Sequence, residues 1–287
     1  MMDLFHFFFP QRGKKSGKQP EKKTEDKPAE RMPVPPEEKT EHKQEHVPKR
    51  EPRIMESVSP IAESEIEPWE ENARMTYTDC ERRVIQHYIH DAFGPIGRTY
   101  YDGDRDKMRV DIVVCEPTEE RRYYTLATVG MGARRMRVPK AMEERNAAFA
   151  ELSVCLPPDW DLMNDTWPFH MLKAMAHFPF RSHDMIGVGN AYHGSITRGS
   201  EFAGAFVIPA ATQDRISTRL MLPDGRIVNY YLLLPLYEDE WKYLTSRHDA
   251  VAFWERYSER IGSIVVDPER ESCIYDLDRD EDDEWNI

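Results

Sequence analysis

The sequence predicts an α+β fold: a single domain whose mixed or antiparallel sheet is packed with helices, preceded by a disordered N-terminal segment. Three observations predict it. Residues 109–115 and 123–132 alternate side chains with period two and are rich in β-branched and aromatic residues; the turn-forming run Glu116-Pro117-Thr118-Glu119-Glu120 joins them. After an opening helix, strand-like runs come first, one helical run lies among them, and two more close the domain, which fits α+β better than alternating βαβ units. Ten of the 21 prolines fall in residues 1–68, where 13 Lys and Arg stand against 14 Asp and Glu. A stretch so charged and so broken by proline cannot build a core. Residues 1–68 are therefore read as tail and linker, 69–275 as the domain, and 276–287 as an acidic tail.

The opening helix is signalled by Thr78-Asp79-Cys80-Glu81, which has the form of a capping box. Val84, Ile85, Tyr88, Ile89, Ala92 and Phe93 then recur at helical spacing until Gly94-Pro95 stops them. The strand pair follows and ends in the turn Gly130-Met131-Gly132. Residues 133–146 are basic and irregular. A third strand is expected over 147–156, closed by Pro157-Pro158. The next helix, over 167–179, has Thr166 as its cap, a proline in its first turn and a buried stripe of Leu172, Met175 and Ala176. Gly187-Val188-Gly189-Asn190 bends the chain into a strand over 202–208. Asp224-Gly225 turns it into 227–236, which is apolar on both faces and so reads as an interior strand. Helices over 238–245 and 249–260 complete the domain. Residues 267–287 then carry 10 acidic and 2 basic side chains.

The totals exclude several functions. With 287 residues and a net charge of −13, the chain has the wrong sign for neutralising phosphates, so nucleic acid is not the expected partner. No run of 18 uninterrupted apolar residues is present, so no membrane span is expected. Cys80, Cys115, Cys155 and Cys273 are far apart, with no Cys-x-x-Cys pair, which fits a reducing, cytoplasmic compartment. The tip containing Phe5, Phe7, Phe8 and Phe9 has no basic residue before it and no small-residue cleavage site, unlike a secretory leader. It reads as a disordered end or a short docking motif.

Catalytic and metal chemistry find little support. His170 and His177 stand seven apart on one helix, about two turns, too far to share one ion unaided; His-Glu-x-x-His spacing would bring them together. Gly187-Val188-Gly189-Asn190 has two glycines of a phosphate loop but leads to a strand. No Gly-x-Ser-x-Gly elbow occurs. The alternating Asp276, Asp278, Asp280 and Asp282 lack the glycine of a calcium loop, because Glu281 holds its position. No cofactor, metal or catalytic residue is assigned. The alternative reading is a hydrolase with a histidine/carboxylate site, with or without a metal, around His170, His177 and Asp184. Asp111 stands apart, because a carboxylate inside a strand is unfavourable unless paired or hydrogen-bonded. It either meets an arginine or turn amide of the domain or receives a basic or amide group from a partner.

The order of these segments resembles the Suppressor of Fused family. The matching residues are Asp111-Ile112-Val113-Val114, Pro117-Thr118, Thr125-Leu126-Ala127-Thr128-Val129-Gly130-Met131 and Met136-Arg137-Val138-Pro139. They continue with Glu151-Leu152, Pro157, Trp167-Pro168 leading to Leu172 and Ala176, then Gly187, Gly189 and Asn190. Leu234-Pro235-Leu236 with Glu238 and Glu240, and Asp267-Pro268-Glu269-Arg270-Glu271-Ser272, close the match. Together they span about residues 75–275. The resemblance implies a non-enzymatic α+β protein that acts by holding another protein. In animals the family includes a repressor that clamps a transcription-factor peptide between two lobes. This chain is similar to the compact bacterial members, for which the family implies immunity proteins in toxin systems. On that footing the expected function is sequestration of a protein partner, with neutralisation of a basic toxin domain as the finer expectation; its opposite charge would speed encounter. The expected contact residues are Asp111, Thr128, Gly130, Met131, Trp167, Gly187, Gly189 and Asn190. They would act through strand addition at a sheet edge or a groove beside the Gly130-Met131-Gly132 turn.

Overall fold

The fold comes from a computed structural model and is described for residues 75–103, 108–213 and 216–275. The tail and linker over 1–68, with its Phe-rich tip, and the acidic 276–287 lie outside the described residues.

Helix α1 (Asp79–Phe93) opens the domain, and its capping box is formed as the sequence implies. Glu81 N donates to Thr78 Oγ1 at 3.3 Å, and Thr78 N donates to a Glu81 carboxylate oxygen at 2.7 Å. Strands β1 (Ile96–Tyr100), β2 (Asp111–Cys115) and β3 (Tyr124–Val129) follow, then the short helix α2 (Lys140–Glu143) and β4 (Ala150–Leu156). Helix α3 (Trp167–Ser182), β5 (Ala191–His193), β6 (Gly204–Pro209), β7 (Arg219–Met221) and β8 (Ile227–Leu236) come next. Helices α4 (Glu238–Arg247) and α5 (Ala250–Arg260) end the order.

The strands form one mixed sheet in the order β1-β2-β3-β4-β8-β6-β5, with β7 also paired to β8. All pairings are antiparallel except β4 with β8, which run parallel at the centre from Ala150↔Asn229 to Ser153↔Leu232. Helix α3 covers one face: Trp167, Met171, Leu172, Met175 and Ala176 pack on Ile112, Val114, Leu152, Val154 and Leu233. The other face is shared. Ile85, Ile89 and Phe93 of α1 pack on Val113, Ala127 and Tyr230, while Leu244, Phe253 and Tyr257 of α4 and α5 cover Phe206, Leu232 and Leu234. β8, apolar but for Asn229, is thus interior, as read, and buried on both faces. Pro235 fits there because β4 pairs only as far as Leu232, and beyond that point the Pro235 carbonyl accepts from Arg270 Nη2 at 3.1 Å.

Three strands escape the sequence reading. β1 contains Gly97 and an irregularity between Ile96 and Arg98, while β5 and β7 have three residues each. Runs so short carry too little alternation to be seen. Two details also differ. Thr166 makes no side-chain cap, and α3 continues past Pro179 to Ser182, with His183 closing it in the left-handed region at φ 55°.

Candidate functional site

Four described acidic side chains are buried in the fold: Glu81, which serves the capping box of α1 and pairs with Arg226, and Asp111, Glu151 and Glu240, each of which is fully satisfied. Asp111, at the start of β2, accepts Arg82 Nη1 at 3.0 Å, Arg109 Nε at 2.8 Å and the Asp102 amide at 2.9 Å. The domain itself therefore supplies both arginine and amide. Glu151 lies in the middle of β4 with no solvent exposure. Its Oε1 accepts Tyr77 Oη at 2.8 Å and the amides of Gly130 at 2.9 Å and Gly132 at 3.0 Å. Its Oε2 accepts Thr128 Oγ1 at 2.6 Å, and that hydroxyl takes the Leu152 amide at 2.8 Å. No cation is among these partners. Burial raises the Glu151 carboxyl above the usual glutamate range, and the four hydrogen bonds oppose that shift.

Glu240, in the first turn of α4, is equally buried but meets a cation. Arg270 grips it with Nη1 at 2.5 Å and Nη2 at 2.6 Å, and the amides of Tyr237 and Cys273 donate at 2.9 Å each. The Arg270 guanidinium lies over the rings of Tyr237, Phe202 and Tyr257, with 4.6, 5.6 and 5.4 Å to their centroids. This clamp fastens the segment after α5 onto the end of β8.

Above the clamp opens a bowl of about 1020 Å³, lined by residues from four parts of the chain. Trp167, Tyr237 and Arg270 contribute to its lining, together with Gly199 and Ser200. The carboxylates of Asp165, Glu201, Glu238, Asp239 and Glu269 also line it, against Lys242 and the already clamped Arg270. Glu238 bonds His193 Nε2 at 2.7 Å and Lys242 Nζ at 3.3 Å. The hydrogen bond to His193 is the main reason its carboxyl lies below the usual range. Asp165 is raised, by partial burial and by Asp161. Among the described residues, Asp165, Glu201, Asp239 and Glu269 form no ion pair. The bowl therefore presents uncompensated negative charge around an aromatic lining. It adjoins β5, the last strand of the sheet, through the His193–Glu238 bond.

Of the residues expected to contact a partner, the structure brings only Trp167 to this bowl. Its indole packs against Trp160 and Phe202, with ring centroids 5.9 and 5.6 Å apart. Thr128, Gly130 and Met131 are buried around Glu151, so the turn they form is a cradle for a carboxylate and offers no open groove. Gly130 is obligatory there: φ is +144°, and a Cβ would lie 2.0 Å from the Arg109 carbonyl oxygen. Gly187, Gly189 and Asn190 form a turn docked on β6, with Gly189 N donating to Val207 O and Val207 N to Asn190 O at 2.9 Å each. The missed residues are Glu151 and the rim of the bowl. Glu151 carried the same signal as Asp111, a carboxylate inside an apolar strand. Of the rim, only Trp167 was expected as a contact; Glu238, Glu269 and Arg270 were noted only as family matches, and nothing local groups them because they are remote in sequence.

The residues of the hydrolase alternative do not converge. His170 is exposed, His177 half-buried about 10 Å further along α3, and Asp184 Oδ1 takes its neighbour's Met185 amide. Among the described residues no three His, Cys, Asp or Glu side chains are grouped to hold a metal ion. Burial pushes the thiols of Cys115 and Cys155 up to about 12 and 11. No described helix is long and apolar enough to cross a membrane.

No curated protein matches the chain. Among solved structures, one described as the Sufu–Fu complex aligns at 12% identity over 70% of this chain and 94% of that one, TM-score 0.49. A Suppressor of fused homologue from Neisseria gonorrhoeae aligns at 14% identity over 68% and 97%, TM-score 0.46. Drosophila Suppressor of Fused aligns at 15% over 61% of this chain but only 46% of its own length, TM-score 0.44. The family profile described as Suppressor of fused protein (SUFU) matches residues 106–271, more than half of the sequence. The chain belongs to the Suppressor of fused family.

Proposed function

We propose that this domain works by binding, not by catalysis, and that it holds a basic protein partner against the acidic bowl beside β5. The observation that carries the reading is the set of four unpaired carboxylates around one aromatic-lined cavity. Such a surface attracts Lys and Arg side chains and speeds encounter with a positively charged protein. The edge of β5 beside it offers backbone groups to an added strand. The conspicuous buried carboxylates are consumed by internal donors, which supports a structural role for them.

The finer reading is neutralisation of a basic toxin in a reducing, cytoplasmic compartment. It draws on the family resemblance, on the acidic charge and on three buried, unpaired cysteines. The test is to mix the full chain with the product of the adjoining reading frame and to follow complex formation and toxin activity. The expected result is inhibition, with association slowing about tenfold or more as salt is raised. The double variant Glu201→Lys/Glu269→Lys should lose the complex while keeping its melting temperature. An association rate indifferent to salt and to these two changes overturns the proposal.

A further inference from the structure

The charge of this chain is unevenly placed. Residues 11–23 hold six Lys or Arg (Arg12, Lys14, Lys15, Lys18, Lys22 and Lys23) and a single acid, Glu21, a net of +5. Residues 69–287 hold 26 basic and 38 acidic side chains. The most concentrated cation on the polypeptide therefore precedes a domain whose described cavity is rimmed by unpaired carboxylates. From the charge complementarity of the two, we infer that the run 11–23 is an internal ligand of the bowl. It would compete there with the basic partner proposed above, on which reading this inference rests.

Chain length permits it. Between Lys23 and Met75, where the described structure begins, stand 51 residues, a contour of roughly 170 Å. A domain of this size has a radius of gyration of about 16 Å, so every point of its surface lies within reach. Tethering supplies an effective concentration on the order of millimolar, so even a weak, salt-sensitive contact is substantially occupied. Lysine is suited to this use: its stem lies along aromatic surface such as Tyr237 while the ammonium reaches the rim. An outside partner would bind only by displacing the run. The domain would thus discriminate against weakly basic proteins and admit strongly basic ones.

Carbodiimide cross-linking of the full chain at low ionic strength, read by peptide mass spectrometry, tests this. The expected products join Lys14, Lys15, Lys18, Lys22 or Lys23 to Glu201, Asp239 or Glu269. Their yield should be independent of protein concentration and lost in ~1 M salt, where the Debye length falls to about 3 Å. Cross-links directed instead to the acidic residues of 276–287, spread over the whole surface, or formed between two copies overturn the inference. A second measurement separates it from the functional reading. A labelled synthetic peptide of residues 11–23 should bind the full chain with all five lysines changed to glutamine about 2- to 10-fold more tightly than the unchanged chain. Equal binding to both, abolished by Glu201→Lys/Glu269→Lys, removes the internal ligand but keeps the acidic bowl as a binding surface. Peptide binding indifferent to those rim changes removes both.

Discussion

Glu151 and Glu240 are two answers to one problem, a carboxylate with no access to water. Glu151 is held by neutral donors alone: two glycine amides, a threonine and a tyrosine. Glu240 is held by a guanidinium in bidentate contact plus two amides. The first device draws together β3, β4 and Tyr77 at the entrance of the domain. The second draws together β8, α4 and the segment at its exit. The difference lies in what each site can lose. A cradle of dipoles can accept a proton in place of one partner, whereas a buried ion pair that loses its cation leaves a naked charge.

The largest expected effect breaks the clamp. Arg270→Ala should lower unfolding free energy by about 3–5 kcal/mol, read by urea denaturation of the full chain. Changing Glu240→Gln together with Arg270→Met should recover part of that loss, because no unpaired charge then remains. If the double variant is no better than Arg270→Ala, packing and not charge dominates the clamp. Gly130→Ala breaks the cradle through its backbone, since the new Cβ meets the Arg109 carbonyl at a φ unsuited to alanine. A loss of about 2–3 kcal/mol is expected by the same assay. Tyr77→Phe trims one donor and leaves Glu151 Oε1 with its two glycine amides, so about 1 kcal/mol is expected.

The gentlest change sharpens the comparison through pH. Folding raises the Glu151 carboxyl above its free value of 4.5, so the folded state favours the protonated form. Its contribution to stability is present in full below pH 4.5 and is lost as pH rises through the folded value. Glu151→Gln, neutral at every pH, should match the parent near pH 4 and gain on it progressively as pH rises. Melting curves collected across that range check this, and parallel pH profiles for the two proteins would show that Glu151 is ionised in the fold without penalty.

The legible parts of the sequence were those where one element states its own rule. The Thr78/Glu81 box, the alternation across β2 and β3 and the apolar β8 all depend on neighbours within a few residues. β1, β5 and β7 are short and lie at edges, so pairing and not pattern defines them. Asp111 was legible as an anomaly but not in its resolution, because Arg82 and Asp102 approach from other elements. Apart from Trp167, the bowl was illegible as a site for the same reason. Trp167, Glu201, Asp239 and Glu269 mean little until α3, the β5–β6 connection, α4 and the exit segment converge.

The parallel pairing of β4 with β8 has a consequence for how the chain is made. Asn229 follows Ala150 by 79 positions, so the middle of the sheet cannot close until most of the polypeptide has left the ribosome. At about 5–20 residues per second, β4 waits roughly 4–16 s for its neighbour. Throughout that interval a strand destined for burial on both faces presents an unsatisfied hydrogen-bonding edge. Shortened chains that stop before β8 inherit this condition permanently, and synthesis rate and chaperone supply will govern how much of the protein arrives folded.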